Sequence, residues 1–154
     1  MRAVLMEGVR TTAARIRDTR ETMERGGDVW VATSGDAGPH LVPLSFAWDA
    51  EAGQIILCTD GATLTVRNIA QVSRSVHVAL GHTRDVVMIH GRAAIAGPVG
   101  DDEATRELFA ARAGWDPVGD GLVFLRVTPL RIQAWREVDE FPGRTVMKRG
   151  DWLH

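Results

Sequence analysis

TDGATLTVRNI, Thr59 to Ile69, is the stretch on which the reading of this chain turns. It follows QIILC, an apolar run that reads as a strand, and it enters NIAQV, which reads as the first turns of a helix. A plain turn needs only Gly or Asn, so three threonines, a glycine and an arginine ask for a reason. One is a phosphate-binding corner, in which the hydroxyls of Thr59, Thr63 and Thr65, the free N–H groups of a helix start and the Arg67 guanidinium converge on an anion. The other is ordinary capping: Thr63 or Thr65 caps the helix, Arg67 is solvated and Asn68 bonds to a nearby loop. From these residues alone both readings stay open.

Working outward, TTAARIRDTRETMER at 11–25 reads as a surface helix lying across something else, with Ala14, Ile16 and Met23 as sparse apolar points and Gly26-Gly27 as its stop. DVWVATS and HLVPLSFAWD form a strand pair around the turn cluster GDAGP, and QIILCTD is a third strand. After the short helix TVRNIAQVSR come strands SVHVALG and DVVMIHGRAAIAG. A helix over 101–114 starts on Asp-Asp-Glu, which suits the positive helix end, and closes at Gly114. LVFLRVTPLRIQAW is a last long strand, interrupted at Pro129, and REVDEFPGRTVMKRGDWLH is a tail. Five or six strands at short spacing with three small helices predict a barrel-like antiparallel sheet. At 154 residues and 45% hydrophobic content, one domain spanning 1–154 is expected, with an N-terminal helical segment at 1–27, a barrel at 28–136 and a tail at 137–154.

The formal charge of −2 leaves no basic footprint for nucleic acid or an anionic membrane. Of the 18 basic side chains only Lys148 is a lysine, which speaks against lysine-based covalent catalysis and leaves bidentate anion recognition by arginine open. The single Cys58 permits no internal disulfide, so a reducing cytoplasm is the expected compartment, and its apolar strand makes it an inert thiol. No stretch has the length of a membrane span, and the first residues lack a secretory h-region. QIILC, DVVMI and LVFLRV are apolar on both faces although a barrel has one interior. A helix can cover part of the second face, and a second copy of the chain is the economical cover for the rest.

Four segments in order, ATSGDAGPHLVPLSFAWD (32–49), ILCTDGATLTVRNI (56–69), GHTRDVVMIHGRA (81–93) and LRVTPLRIQAW (125–135), resemble the FMN-binding split-barrel family, which includes pyridoxamine 5′-phosphate oxidase and the flavin/deazaflavin oxidoreductases. The resemblance covers about Asp28 to Trp135. It implies a mainly β, six-stranded antiparallel split barrel that forms a homodimer with two cofactor sites at its interface. It further implies that Pro43, Leu44, Ser45 and Phe46 lie along an isoalloxazine ring while Thr59, Thr63, Thr65, Arg67 and Asn68 hold a phosphate. The family commonly carries lysine three residues before this Asn, where the present chain has Thr65, so a cationic contact is missing.

His40 at a strand entrance is a candidate to face a flavin ring. Arg84, in the strand connection His82-Thr83-Arg84-Asp85, is a candidate to reach a phosphate or an acidic cofactor tail from the partner chain, as are Arg131 and Arg136. His77 and His90 stand in apolar strands, where core or interface histidines are the default. There is no metal-ligand spacing, no nucleophile elbow and no Rossmann glycine fingerprint. No catalytic acid–base set is evident, and none is required, because a flavin or deazaflavin carries the hydride chemistry. The expected function is a flavin- or deazaflavin (coenzyme F-420)-dependent oxidoreductase passing hydride to a small conjugated or aromatic acceptor. The alternative is a noncatalytic flavin- or tetrapyrrole-binding split barrel.

Overall fold

Residues 8–154 are described by the structure, a computed structural model. The chain runs α1 (Thr12–Arg25), β1 (Gly27–Gly35), β2 (Gly38–Asp49), β3 (Gln54–Asp60), α2 (Leu64–Gln71), β4 (Ser75–His82), β5 (Asp85–Pro98), α3 (Glu103–Ala113), β6 (Leu122–Trp135), β7 (Thr145–Lys148) and β8 (Asp151–Trp152). Single 3-10 turns stand at Val99–Asp101 and Val138–Glu140. Of the expected N-terminal segment at 1–27, residues 1–7 lie outside the described residues.

Neighbouring strands follow the order β3-β2-β1-β4-β5-β6, and β6 returns to pair with β3, so six antiparallel strands close into a barrel. Alternation along the strands fills its interior. Val29 and Val31 of β1, Ile55 and Leu57 of β3, Val76, Val78 and Leu80 of β4, and Val87 and Ile89 of β5 all point inward. Leu125, Val127 and Ile132 of β6 complete the lining. Gly91 is required where β5 crosses β6, since a Cβ there would meet the Thr128 carbonyl oxygen at 2.6 Å.

The helices divide their labour. α1, capped by the Thr11 hydroxyl accepting from the Ala14 N–H, lies across β2, β6 and β7 and sends Met23 into the interior. α2 contributes Val66 and Ile69 to the same interior. α3 packs outside the barrel, where Phe109, with Leu108 and Ala113 beside it, sits on the outward-facing Ala47, Ile56, Cys58 and Phe124. This second small core covers the outer faces of β3 and of the first half of β6. For QIILC and LVFLRV the chain therefore supplies its own cover, and no second copy is needed there. Among the described residues no helix covers the outer face of β1, β4 and β5.

One further expectation is corrected. Pro129 does not interrupt the last strand: β6 runs through it, and a bulge in which Pro129 pairs with Gly91 and Arg131 with His90 absorbs the extra residue and the missing N–H. Within the tail, β7 pairs with β6 and turns through Arg149 and Gly150, both at positive φ, into β8.

Beneath the tail lies a buried charge network that no local pattern announced. Arg10 donates through Nη2 and Nε to the Glu140 carboxylate at 2.7 and 2.9 Å and through Nη1 to Asp18 at 3.1 Å. Arg15, only 3% exposed, donates to the Ala134 and Glu140 carbonyls. The Arg10 hydrogen bonds outweigh burial and draw the Glu140 carboxyl down to about 2. These contacts tie the segment before α1 to the end of β6.

Candidate functional site

The strand-to-helix corner is built from the residues that singled it out, but most of their polar groups are turned to structural work. The Thr63 hydroxyl donates to the Asp60 carbonyl at 2.9 Å and accepts from the Val66 N–H at 3.4 Å, which makes it the N-cap of α2. Asp60 Oδ1 accepts from the Ala62 N–H at 2.8 Å, so a carboxylate already stands at this corner. Thr65 is buried, and Thr59 is half-buried in β3 opposite Val123. Asn68 is buried too, its Nδ2 donating to Thr33 Oγ1 at 3.0 Å. It presses on the β1–β2 hairpin so closely that a Cβ at Gly35 would meet Asn68 Oδ1 at 2.6 Å. Asn68 thus locks α2 to the hairpin, a close relative of the loop contact expected from the sequence.

Between hairpin and helix lies a cavity of about 270 Å³. Gly35, Pro39 and half-buried His40 line one side, with Leu64, the exposed Arg67 and Asn68 on the other. His40, Arg67 and Asn68 are therefore brought together. The β2 residues split by strand alternation: Phe46 and Leu44 pack against the interior, while Pro43 and Ser45 face outward. Pro43 pairs with Trp30, and Ser45 Oγ donates to Asp28 Oδ1 at 3.2 Å. Arg84 stands elsewhere. It sits in the β4–β5 connection, paired with Glu137 at 2.8 Å, one β4 length (about 25 Å at strand rise) from the end that adjoins α2.

Sequence reasoning missed what lies beside the cavity. On the outer face of the barrel, Trp30 is 53% and Leu41 60% exposed, and half-buried Ala32, Ala79 and Met88 continue the patch across β1, β4 and β5. Exposed Trp and Leu side by side on a sheet mark a surface that something covers. The pairing of HLVP with DVWVA, with Leu41 and Trp30 on the same side, was the available signal. Among the described residues no group of three or more His, Cys, Asp or Glu side chains is placed to hold a metal ion. Burial pushes the Cys58 thiol up to about 11, and it lies beneath α3, so it is no nucleophile. No helix among the described residues is long and apolar enough to cross a membrane.

No protein-family model matches the chain, and no curated protein matches it in sequence. Solved structures share its fold. A candidate pyridoxamine 5′-phosphate oxidase from Listeria innocua superposes with a TM-score of 0.63 at 13% identity, covering 79% of this chain and 98% of that one. An F420 reductase gives 0.60 at 19% identity over 73% and 94% of the two chains. A heme binding protein from Mycobacterium smegmatis gives 0.64 at 15% identity, covering 92% of this chain and 59% of that one. The chain is thus a closed six-stranded split barrel. Its fold is that of the pyridoxamine 5′-phosphate oxidase-like proteins.

Proposed function

We propose that the chain is a homodimeric, cytoplasmic flavin- or deazaflavin-dependent oxidoreductase that takes FMN or coenzyme F-420 and passes hydride to a small conjugated or aromatic acceptor. One observation carries the reading: β2 leads from a cation-bearing cavity at His40 and Arg67 directly onto an uncovered apolar face at Leu41, Pro43 and Trp30. A ligand with an anionic end and a flat apolar ring needs those two surfaces side by side. The names of the fold neighbours, a pyridoxamine phosphate oxidase and an F420 reductase among them, support the same cofactor class.

The residues fit the anionic end in part. Arg67 and His40 would hold a phosphate, the former as a charged fork. Asn68 shapes the cavity wall rather than spending its amide on the ligand. Pro43 and Trp30 offer surface for a ring, and a second copy against that face would exclude water from it. When bound, a flavin or deazaflavin supplies the hydride chemistry. The chain's own part is to bind and orient the cofactor, and the acceptor's proton then comes from solvent.

Titration of the purified protein with FMN and with coenzyme F-420 in parallel, following quenching of ligand fluorescence, tests this reading. Saturable binding of one cofactor, weakened roughly tenfold or more in Arg67→Ala, is the expected result, since one charge-assisted hydrogen bond is worth about that much. No binding of either sinks the flavoenzyme reading.

A noncatalytic flavin or tetrapyrrole carrier is the second reading. It is favoured by the buried Thr65 in the place of the family's lysine and by the Asp60 carboxylate at the corner, which together leave Arg67 to meet a phosphate with little help. The heme binding protein among the fold neighbours points the same way. A heme titration that shifts the Soret band, with no oxidation of reduced cofactor in any acceptor screen, would decide for it.

A further inference from the structure

Strand register sets four residues in a line across the uncovered face: Ala32 of β1 opposite His77 of β4, His77 opposite His90 of β5, and His90 opposite Arg131 of β6. The two imidazoles stack with centroids 4.9 Å apart and planes 26° from parallel, and His90 Nε2 lies 2.9 Å from Ser75 Oγ. Apolar residues border the line, with Leu41 beyond Ala32, and with Trp30, Ala79 and Met88 forming the next row. On the other side Arg92 of β5 stands opposite Ser75.

The groups facing the pair are cationic or neutral. β6 brings Arg131, β5 brings Arg92, β4 brings Ser75, and β1 brings Ala32. Neither Arg92 nor Arg131 has a carboxylate within ion-pair distance among the described residues, whereas Arg10, Arg84, Arg106, Arg126 and Arg136 all do. The carboxylate on the outer side of β1, Asp28, is four residues from Ala32 and bonded to Ser45. Burial, His90 and Arg131 together hold His77 below the ordinary imidazole range. Each proton added to it sits beside a second imidazole and an arginine with nothing to neutralise it.

In a symmetric dimer the same patch meets its own copy, so whatever charge one pair gains is also gained opposite. We infer that the stacked His77–His90 pair makes association of two copies across the β1–β4–β5 face acid-labile: neutral imidazoles permit the contact, and their protonation separates the chains. The inference rests on the homodimer of the proposed function and adds its regulation.

Every proton that must be released on association weakens the dimer about tenfold for each pH unit below the free pair's pKa, so one proton per chain amounts to about 100-fold per unit. Sedimentation equilibrium at pH 7.5, 6.5 and 5.5, with circular dichroism on the same samples, reads this directly. The expected result is a dimer at pH 7.5 whose dissociation constant has risen about tenfold or more by pH 5.5 with the fold intact. The double variant His77→Gln/His90→Gln should hold its affinity across the range.

A dimer equally tight at all three pH values overturns the device and spares the homodimer. Dependence retained in the double variant overturns its assignment to these histidines. Lost secondary structure at pH 5.5 makes the effect one of unfolding and overturns the inference as well. A monomer throughout removes both the device and the association on which it rests.

Discussion

The barrel has two outer faces with apolar residues, and the chain treats them differently. On one, Ala47, Ile56, Cys58 and Phe124 are buried beneath α3, with Phe109 as the central plug. On the other, Trp30 and Leu41 stand in solvent and Met88 is half covered. Strands apolar on both sides demand a cover, but the demand is met from within the chain on one side and left unmet on the other. An apolar outer face identifies the need, and only the folded arrangement says where the cover comes from. The covered face belongs to the fold's stability, and the bare one is where the proposed association would act.

Deleting the plug is the sharpest way to break this contrast. Phe109→Ala empties a fully buried site between Phe124 and Trp115 and should cost about 3 to 5 kcal/mol in urea unfolding. A cost below about 1 kcal/mol would mean that α3 is no structural cover.

Acid separates the regions further. Glu140 has its folded pKa depressed to about 2 against an ordinary 4.5, so its contribution is complete above about 4.5 and is lost as pH falls toward 2. Roughly 3 kcal/mol of stability should disappear across that window, about 2 of it between pH 5 and pH 3, and Glu140→Gln should flatten the dependence that thermal melts at those two pH values show. The bare face should respond to acid through association of copies rather than through unfolding, so sedimentation and melting separate the two effects.

A smaller effect is expected where α3 is moored. Arg126 donates to Asp49 at 3.0 Å and to the Thr105 hydroxyl at 2.8 Å, so Arg126→Ala leaves a half-buried carboxylate unpaired and should cost about 1 to 3 kcal/mol in the same unfolding assay. Burial opposes ionisation of Asp49, but the Ala52 and Glu51 N–H groups and Arg126 prevail and hold it below the ordinary range. The smallest stability change belongs to Trp30→Ser on the bare face, within about 0.5 kcal/mol for the isolated chain. Its effect should appear in the sedimentation experiment as weakened association. A large loss of stability in a monomeric sample would show that Trp30 belongs to the core after all.

Most of the barrel was legible because its signals are local. DVWVATS and HLVPLSFAWD alternate around a glycine turn, and the chain folds them as β1 and β2. What escaped depends on distance. The Arg10 and Glu140 contact joins residues 130 positions apart, and Arg15 looks like any surface arginine until the β6 and tail carbonyls close over it. β7 and β8 are too short to alternate visibly. At the corner, the presence of α2 could be read but not its rotation, and rotation decides that Thr65 and Asn68 face inward while Arg67 faces out. Of the candidate site residues, His40, Arg67 and Asn68 converge on one cavity, and Arg84 lies at the far end of β4.

The return of β6 to β3 has a consequence for aggregation. The closed ring pairs β3 with β6, but β2 meets β3 only through Phe46–Asp49, so among the described residues its first half, residues 38–45, keeps one row of backbone groups without a strand partner. The edge at the end of the sheet order is β8, two residues long, too little to template another strand. Edge-to-edge pairing between copies would have to use that half of β2, where Pro39 and Pro43 lack the N–H a ladder needs, so the prolines guard the opening that the ring leaves.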